Sequence, residues 1–175
     1  MNYVELQTRD LKPKENLRNR KYDFNSEQFW FLKAYDHFKS NNNDELKSAV
    51  DCFVQTIKSN PLNICAIHNL ACAYETQQRY QLAIKWFDIA IKLDPDNKEY
   101  LDTYYSLALA YFKSGKPQEA VYVLDKAILM LDNIEITQRA HYDKYYFRYL
   151  RALCHRALMK FKESEQDYGD IIKIF

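Results

Sequence analysis

Residues 64–97 read ICAIHNLACAYETQQRYQLAIKWFDIAIKLDPDN, and this stretch decides the fold. Its first half sets Leu70-Ala71 and Tyr74 at helical spacing, after which Gln77-Gln78-Arg79 interrupts the apolar pattern. Its second half carries Tyr80, Ala83, Phe87 and Ala90 at intervals of three to four, the period of an amphipathic helix. Pro95 then stops that helix, because proline has no amide proton and its ring collides with the preceding turn. The stretch predicts two helices joined by a short polar break.

Outward from this unit the same pattern returns. Pro61 and Pro95 are 34 residues apart, as are Ala49 and Ala83, and Phe53 and Phe87. A fixed period of this size signals stacked supersecondary units. One helix pair cannot bury its own apolar face, so neighbouring pairs must stack to make a continuous core. Ala71, Ala83 and Ala90 let helices approach closely, while Tyr74, Tyr80 and Phe87 fill the adjoining space. Composition points the same way: two glycines and four prolines stand against 15 tyrosines and ten phenylalanines, too few turn formers for an all-β domain. Gly115 and Gly169 are isolated, so no glycine-rich loop exists to cradle a phosphate.

The run Ile67, Leu70-Ala71, Tyr74, Gln78, Tyr80, Ala83, Phe87, Ala90 and Pro95 resembles the tetratricopeptide repeat. The next unit carries Tyr104, Leu107-Ala108, Tyr111, Gly115, Ala120, Leu124 and Ala127, with Pro117 where Tyr is usual and Asp132 where Pro is usual. The last is looser: Arg151-Ala152, His155, Phe161, Ser164, Tyr168 and Ile171. The first has Trp30, Ala34, His37, Ala49, Phe53, Thr56 and Pro61, and aligns with about three extra residues at Asn41-Asn42-Asn43, expected as a longer inter-helix turn. The resemblance spans residues 26–175 and implies an all-α fold, an α-solenoid of about four helix-turn-helix units in a right-handed superhelix. The units fall at about 27–63, 64–100, 101–144 and 145–175.

From Leu70 to Leu107 is 37 residues and from Leu107 to Arg151 is 44. Asp96 with Glu99, and Asp132 with Glu135, have capping-box spacing, so the excess is expected to lengthen the first helices of the third and fourth units. Residues 1–25, with Arg9, Lys12, Lys14, Arg18, Arg20 and Lys21 around Pro13, are expected as a basic, loosely structured arm. Phe175 closes the last expected helix with no polar cap beyond it, which suggests a fragment of a longer protein or an end covered by another subunit.

The resemblance further implies that the first helix of each unit lines a concave groove. By position, that groove holds Phe31, Tyr35 and Phe38, then Cys65, His68, Asn69 and Cys72, then Tyr105, Leu109 and Phe112, and finally Tyr146, Tyr149 and Leu153. Apolar stripes of this extent suit a protein partner that offers a peptide or helical segment. Relatives that hold a chaperone-tail carboxylate use two Lys, two Asn and an Arg in the groove. Only Asn69 matches, and Phe31, Tyr35, Asp102 and Ser106 take the other places, so no carboxylate clamp is expected.

Cys65, His68 and Cys72 share a helix face, but a structural zinc site wants four ligands and no paired set is evident, so no metal is expected. No Ser/His/Asp or Cys/His constellation or cofactor motif is visible, which points to a non-enzymatic interaction module, a scaffold or adaptor. The alternative is a structural subunit of a larger assembly, cytoskeletal or ciliary. A third reading, single-stranded RNA stacked on groove tyrosines, sits poorly with a net charge of +1, as does any broad nucleic-acid surface. No run is apolar enough to span a membrane, and the N-terminus lacks the layout of a secretory signal. Cysteines 52, 65, 72 and 154 form no disulfide framework, and a cytoplasmic protein is expected.

Overall fold

The computed structural model of the chain describes residues 27–40, 42–93, 101–132 and 138–173. The expected basic arm, and Pro95, Asp96, Glu99, Glu135 and Phe175, lie outside them. Among the described residues there are eight helices: α1 Glu27–Lys39, α2 Asn43–Ser59, α3 Ile64–Thr76, α4 Tyr80–Leu93, α5 Leu101–Lys113, α6 Pro117–Asp132, α7 Gln138–Ala157 and α8 Phe161–Ile172. Each packs on the helix before it and the helix after it, and the first helices also adjoin one another, α3 with α5 and α5 with α7. This is the expected α-solenoid, in which every contact is local to a repeat or its neighbour.

The repeat positions explain the packing. Ala34, Ala49, Ala71, Ala83, Ala108, Ala120, Ala127 and Ala152 are wholly shielded from solvent, which brings helix backbones together, and Phe53, Phe87, Leu124 and Phe147 fill the space between them. One cluster of buried side chains joins α1, α2 and α3, and a larger one runs from α3 to α7, with Tyr74 and Trp86 packed against both. The entry to the array is fastened by Glu27 at the start of α1, whose carboxylate accepts from Asn60 Nδ2 at 3.1 Å and from Asn63 Nδ2. Asn63 in turn caps α3, its Oδ1 accepting from the Ala66 amide at 2.8 Å.

Three turns have one geometry. Gln78, Gly115 and Met159 each take a positive φ of 59°, 77° and 58°. The following amide reaches back over the helix end: Arg79 to the Tyr74 carbonyl, Lys116 to Tyr111 and Lys160 to His155, at 2.9, 2.9 and 2.8 Å. This is a Schellman close, which satisfies carbonyls the helix leaves orphaned. Pro117 opens α6 at the first helical position, where its missing amide proton costs nothing.

The structure redistributes two of the expected insertions. The extra residues of the first unit do not lengthen its turn: residues 40–42 separate α1 from α2, as many as separate α3 from α4. They extend α2 instead, which has 17 residues against 14 in α4, because the Asn42 side chain caps the helix early by accepting from the Asp44 amide. The described part of α5 has 13 residues, the same as α3, so the lengthening expected there is not found among them; α7, with 20, is longer as expected. Asp132 is not a cap of α7. It ends α6 and pairs with Lys144 at 3.0 Å and Arg148 at 3.6 Å, fastening α6 to α7. Because α7 starts at Gln138, the division expected near residue 144 falls inside it.

Candidate functional site

The stripe of first-helix side chains divides into a closed half and an open half. On α1, Phe31 and Phe38 are half-buried and set edge-on to Phe53 of α2, with ring centroids 6.1 and 6.4 Å away. Tyr35 lies between them with the Lys39 ammonium 4.6 Å above its ring, and its buried hydroxyl finds no hydrogen-bond partner among the described residues. On α3, His68 and Asn69 are each only 7% exposed. His68 Nδ1 is 3.0 Å from the Thr103 hydroxyl on α5, and its Nε2 is 3.3 Å from Cys72 Sγ. Burial lowers the His68 pKa to about 4, so the imidazole is neutral near pH 7 and serves as a bridge between α3 and α5. Burial, with Glu75 and Asp102 nearby, raises the Cys72 pKa, and its thiol stays protonated. Cys65 is half-buried at the start of the same face. A side chain that spans two helices in this way is part of the frame.

The open half lies on α5 and α7. Tyr105 is half-buried, edge-on to Phe147 at 5.5 Å, and burial, then Tyr146 and Tyr149, raises its pKa to about 12. Leu109 and Phe112 pack along the rim of the larger core. Tyr146 and Tyr149 stand 38% and 40% exposed on α7, and Leu153 is half-buried one turn further on. Two tyrosines that the stripe omitted complete the surface. Tyr145 stacks on Tyr149 at 6.1 Å with ring planes 9° apart, and Tyr168 of α8 approaches Tyr149 at 6.3 Å. The signal for Tyr145 was its spacing of four from Tyr149; nothing local pointed to Tyr168, which arrives from the partner helix. The structure thus brings Tyr105, Tyr146 and Tyr149 together, and draws Phe31, Phe38, His68 and Asn69 into packing.

Asp102 and Ser106, at two of the places that a carboxylate clamp would use, are half-buried and buried. Glu75 is engaged by Lys113 at 2.5 Å across α3 and α5. No helix among the described residues is long and apolar enough to cross a membrane, and Cys52, Cys65, Cys72 and Cys154 are all free thiols.

Residues 62–132 match the family model for the tetratricopeptide repeat. Over 90 residues, 51% of this chain, the sequence is 30% identical to the small glutamine-rich tetratricopeptide repeat-containing protein 2 of Saccharomyces cerevisiae. That match spans a quarter of the relative's length. Among solved structures, the fold is similar to MamA residues 41-end from Desulfovibrio magneticus RS-1, with a TM-score of 0.73, 13% identity, and 88% of this chain and 78% of that one covered. It is also similar to the nearly identical TPR-like repeats of a Podosopora anserina putative kinesin light chain, with a TM-score of 0.71, 17% identity and the same coverage of each. At these identities the structural likeness speaks for the fold alone.

Proposed function

Since the chain is a tetratricopeptide-repeat protein, we propose that it is a non-enzymatic interaction module that holds a segment of a partner protein against the α5–α7 half of its first-helix face. The observation that carries this is the pair Tyr146 and Tyr149, large rings left substantially exposed beside half-buried Tyr105. A tyrosine here offers wide apolar area at low entropic cost and a hydroxyl for orientation, which is why such rings dominate binding hot spots. The segment is peptide-like or helical, laying apolar side chains between α5 and α7 over Leu109 and Leu153. Phe31, Tyr35, Phe38, His68, Asn69 and Phe112 support the face from within.

A carboxylate clamp has no place in this reading. Phe31 leans on Phe53, Ser106 is buried, and Asp102 would repel a terminal carboxylate. The free cysteines fit a reducing, cytoplasmic setting. A permanent structural subunit is the competing reading, and one experiment separates the two. The wild-type chain and a Tyr105→Ala/Tyr149→Ala variant are used as bait, and retained proteins are identified by mass spectrometry. The expected result is a protein kept by the wild type and released by the variant, with unchanged circular dichroism. Equal retention by both removes the aromatic face as the binding site; a chain that aggregates without neighbours favours the permanent subunit.

A further inference from the structure

A second recess lies away from the aromatic face. Between α4 and α6, with α5 as its floor, is a cavity of about 430 Å³. Tyr104, Leu107 and Tyr111 line it from a different face of α5 than the one bearing Tyr105 and Leu109. Tyr122 closes one side from α6, and Asp88 of α4 and Glu119 of α6 bring carboxylates to it.

The charged groups at this recess are Asp88 and Glu119, with Lys126 at its edge and Lys92 near Asp88. Asp88 is half-buried and forms no hydrogen bond or salt bridge among the described residues. Burial raises its carboxyl pKa, opposed in part by Lys92. Burial also raises the pKa of the Tyr111 hydroxyl, with Asp88 and then Glu119 adding to the effect. A half-buried carboxylate that no hydrogen bond or ion pair engages is stabilised by an arriving cation. Aromatic faces attract the same charge through their quadrupole. The protein already shows the contact: the Lys126 ammonium sits 4.6 Å over the Tyr122 ring at the cavity's edge, with the lysine itself exposed.

We propose that the cavity between α4 and α6 accepts the ammonium of a lysine side chain from a partner protein, seated among Tyr104, Tyr111 and Tyr122 against Asp88 and Glu119, with Lys126 competing for the rim. This site is independent of the aromatic face on α5 and α7. It reads one charged side chain where that face reads apolar area.

The test is a chemical-shift titration of the whole chain with N-acetyl-lysine amide, and with N-acetyl-norleucine amide as the uncharged isostere. Saturable shifts of the Tyr104, Tyr111 and Tyr122 ring signals are expected with the lysine derivative alone. Asp88→Asn is expected to weaken binding about fivefold or more, Glu119→Gln to weaken it less, and Lys126→Gln to tighten it about twofold. Glu119 and Lys126 are exposed, so these two variants report on the site whether or not Asp88→Asn folds. Equal shifts from the norleucine derivative would make the cavity merely apolar. No saturable shift, or affinity unmoved by both Glu119→Gln and Lys126→Gln, overturns the proposal.

Discussion

Leu70 of α3 and Arg151 of α7 hold the same place in their helix pairs, and Trp86 of α4 and Asp167 of α8 hold the place opposite. The backbone does not register the exchange: both pairs close through the same positive-φ turn and the same return hydrogen bond. What differs is the cohesion. Leu70 is wholly buried among apolar neighbours, while Arg151 Nε donates to both Asp167 oxygens at 3.1 Å and its Nη1 reaches Asp125 at 2.6 Å. Asp167 is 2% exposed. The repeat frame therefore tolerates either oil or a charge pair at its seam, provided the two sides change together. A second exchange runs along the binding face, where buried His68 on α3 corresponds to exposed Tyr149 on α7. His68 is closed over by Thr103 of the following first helix.

The seam gives the largest expected effect. Asp167→Leu leaves Arg151 with only exposed Asp125, and removing one partner of a buried pair costs about 3–5 kcal/mol. The lower end applies here, because the Arg151 side chain keeps 20% of its exposure. Adding Arg151→Leu converts the seam to the chemistry of α3–α4 and should return stability to within about 1 kcal/mol of the wild type. Urea unfolding of the two variants decides it. A single-variant loss below about 1 kcal/mol would mean that the pair does not hold α7 to α8.

The His68–Tyr149 exchange gives the next effect, through pH. An unfolded histidine titrates near 6.5, whereas burial holds His68 near 4. Above pH 6.5 the ring is neutral in both states and its share of stability is complete. As pH falls from 6.5 toward 4, the unfolded chain takes up a proton that the folded chain refuses, and stability drops by up to about 3 kcal/mol. His68→Gln should remove that slope, read as the difference between the two unfolding free energies across pH 4–7. Parallel curves would show that His68 is not shielded as described.

These contrasts also mark how far the sequence could be read. The alanine and phenylalanine positions repeat every 34 residues, and burial follows directly from that period, so Ala83 and Phe87 lie where expected. The expected stripe placed Phe31, His68 and Tyr149 on the same side of their helices equally well. Spacing along one helix cannot say what a neighbour lays over that side: Phe53 leans on Phe31, Thr103 meets His68, and Tyr149 is left open. Arg151 puts a charge where the middle units carry Leu70 and Leu107. The answering charge is Asp167, 16 residues away on the partner helix, and only the pair of misfits read together points to a buried bond. The residues near Asn42 went to a helix because an asparagine cap acts locally, and a repeat alignment does not weigh it.

The smallest effect isolates a feature that the two pairs share with the α5–α6 pair between them, the left-handed turn residue. Gly115 meets nothing within 4 Å of where its Cβ would be, so Gly115→Ala adds backbone strain without a clash, offset in part by the lost freedom of the unfolded chain. It should cost about 1 kcal/mol, since an L-residue pays that much for a positive φ. Met159 already bears this strain at a φ of 58°, with its side chain 79% exposed and unable to recover the cost by packing. Met159→Gly relieves the strain but also enlarges the freedom of the unfolded chain, and the net gain should be about 0.5–1 kcal/mol. In a domain of this size that raises the melting temperature by about 2 °C. Opposite signs for Met159→Gly and Gly115→Ala would establish that the last pair closes by the same backbone device as the middle ones. A loss of stability from Met159→Gly would instead assign the Met159 side chain a contact that holds the turn, and the likeness between the two pairs would end at the helices.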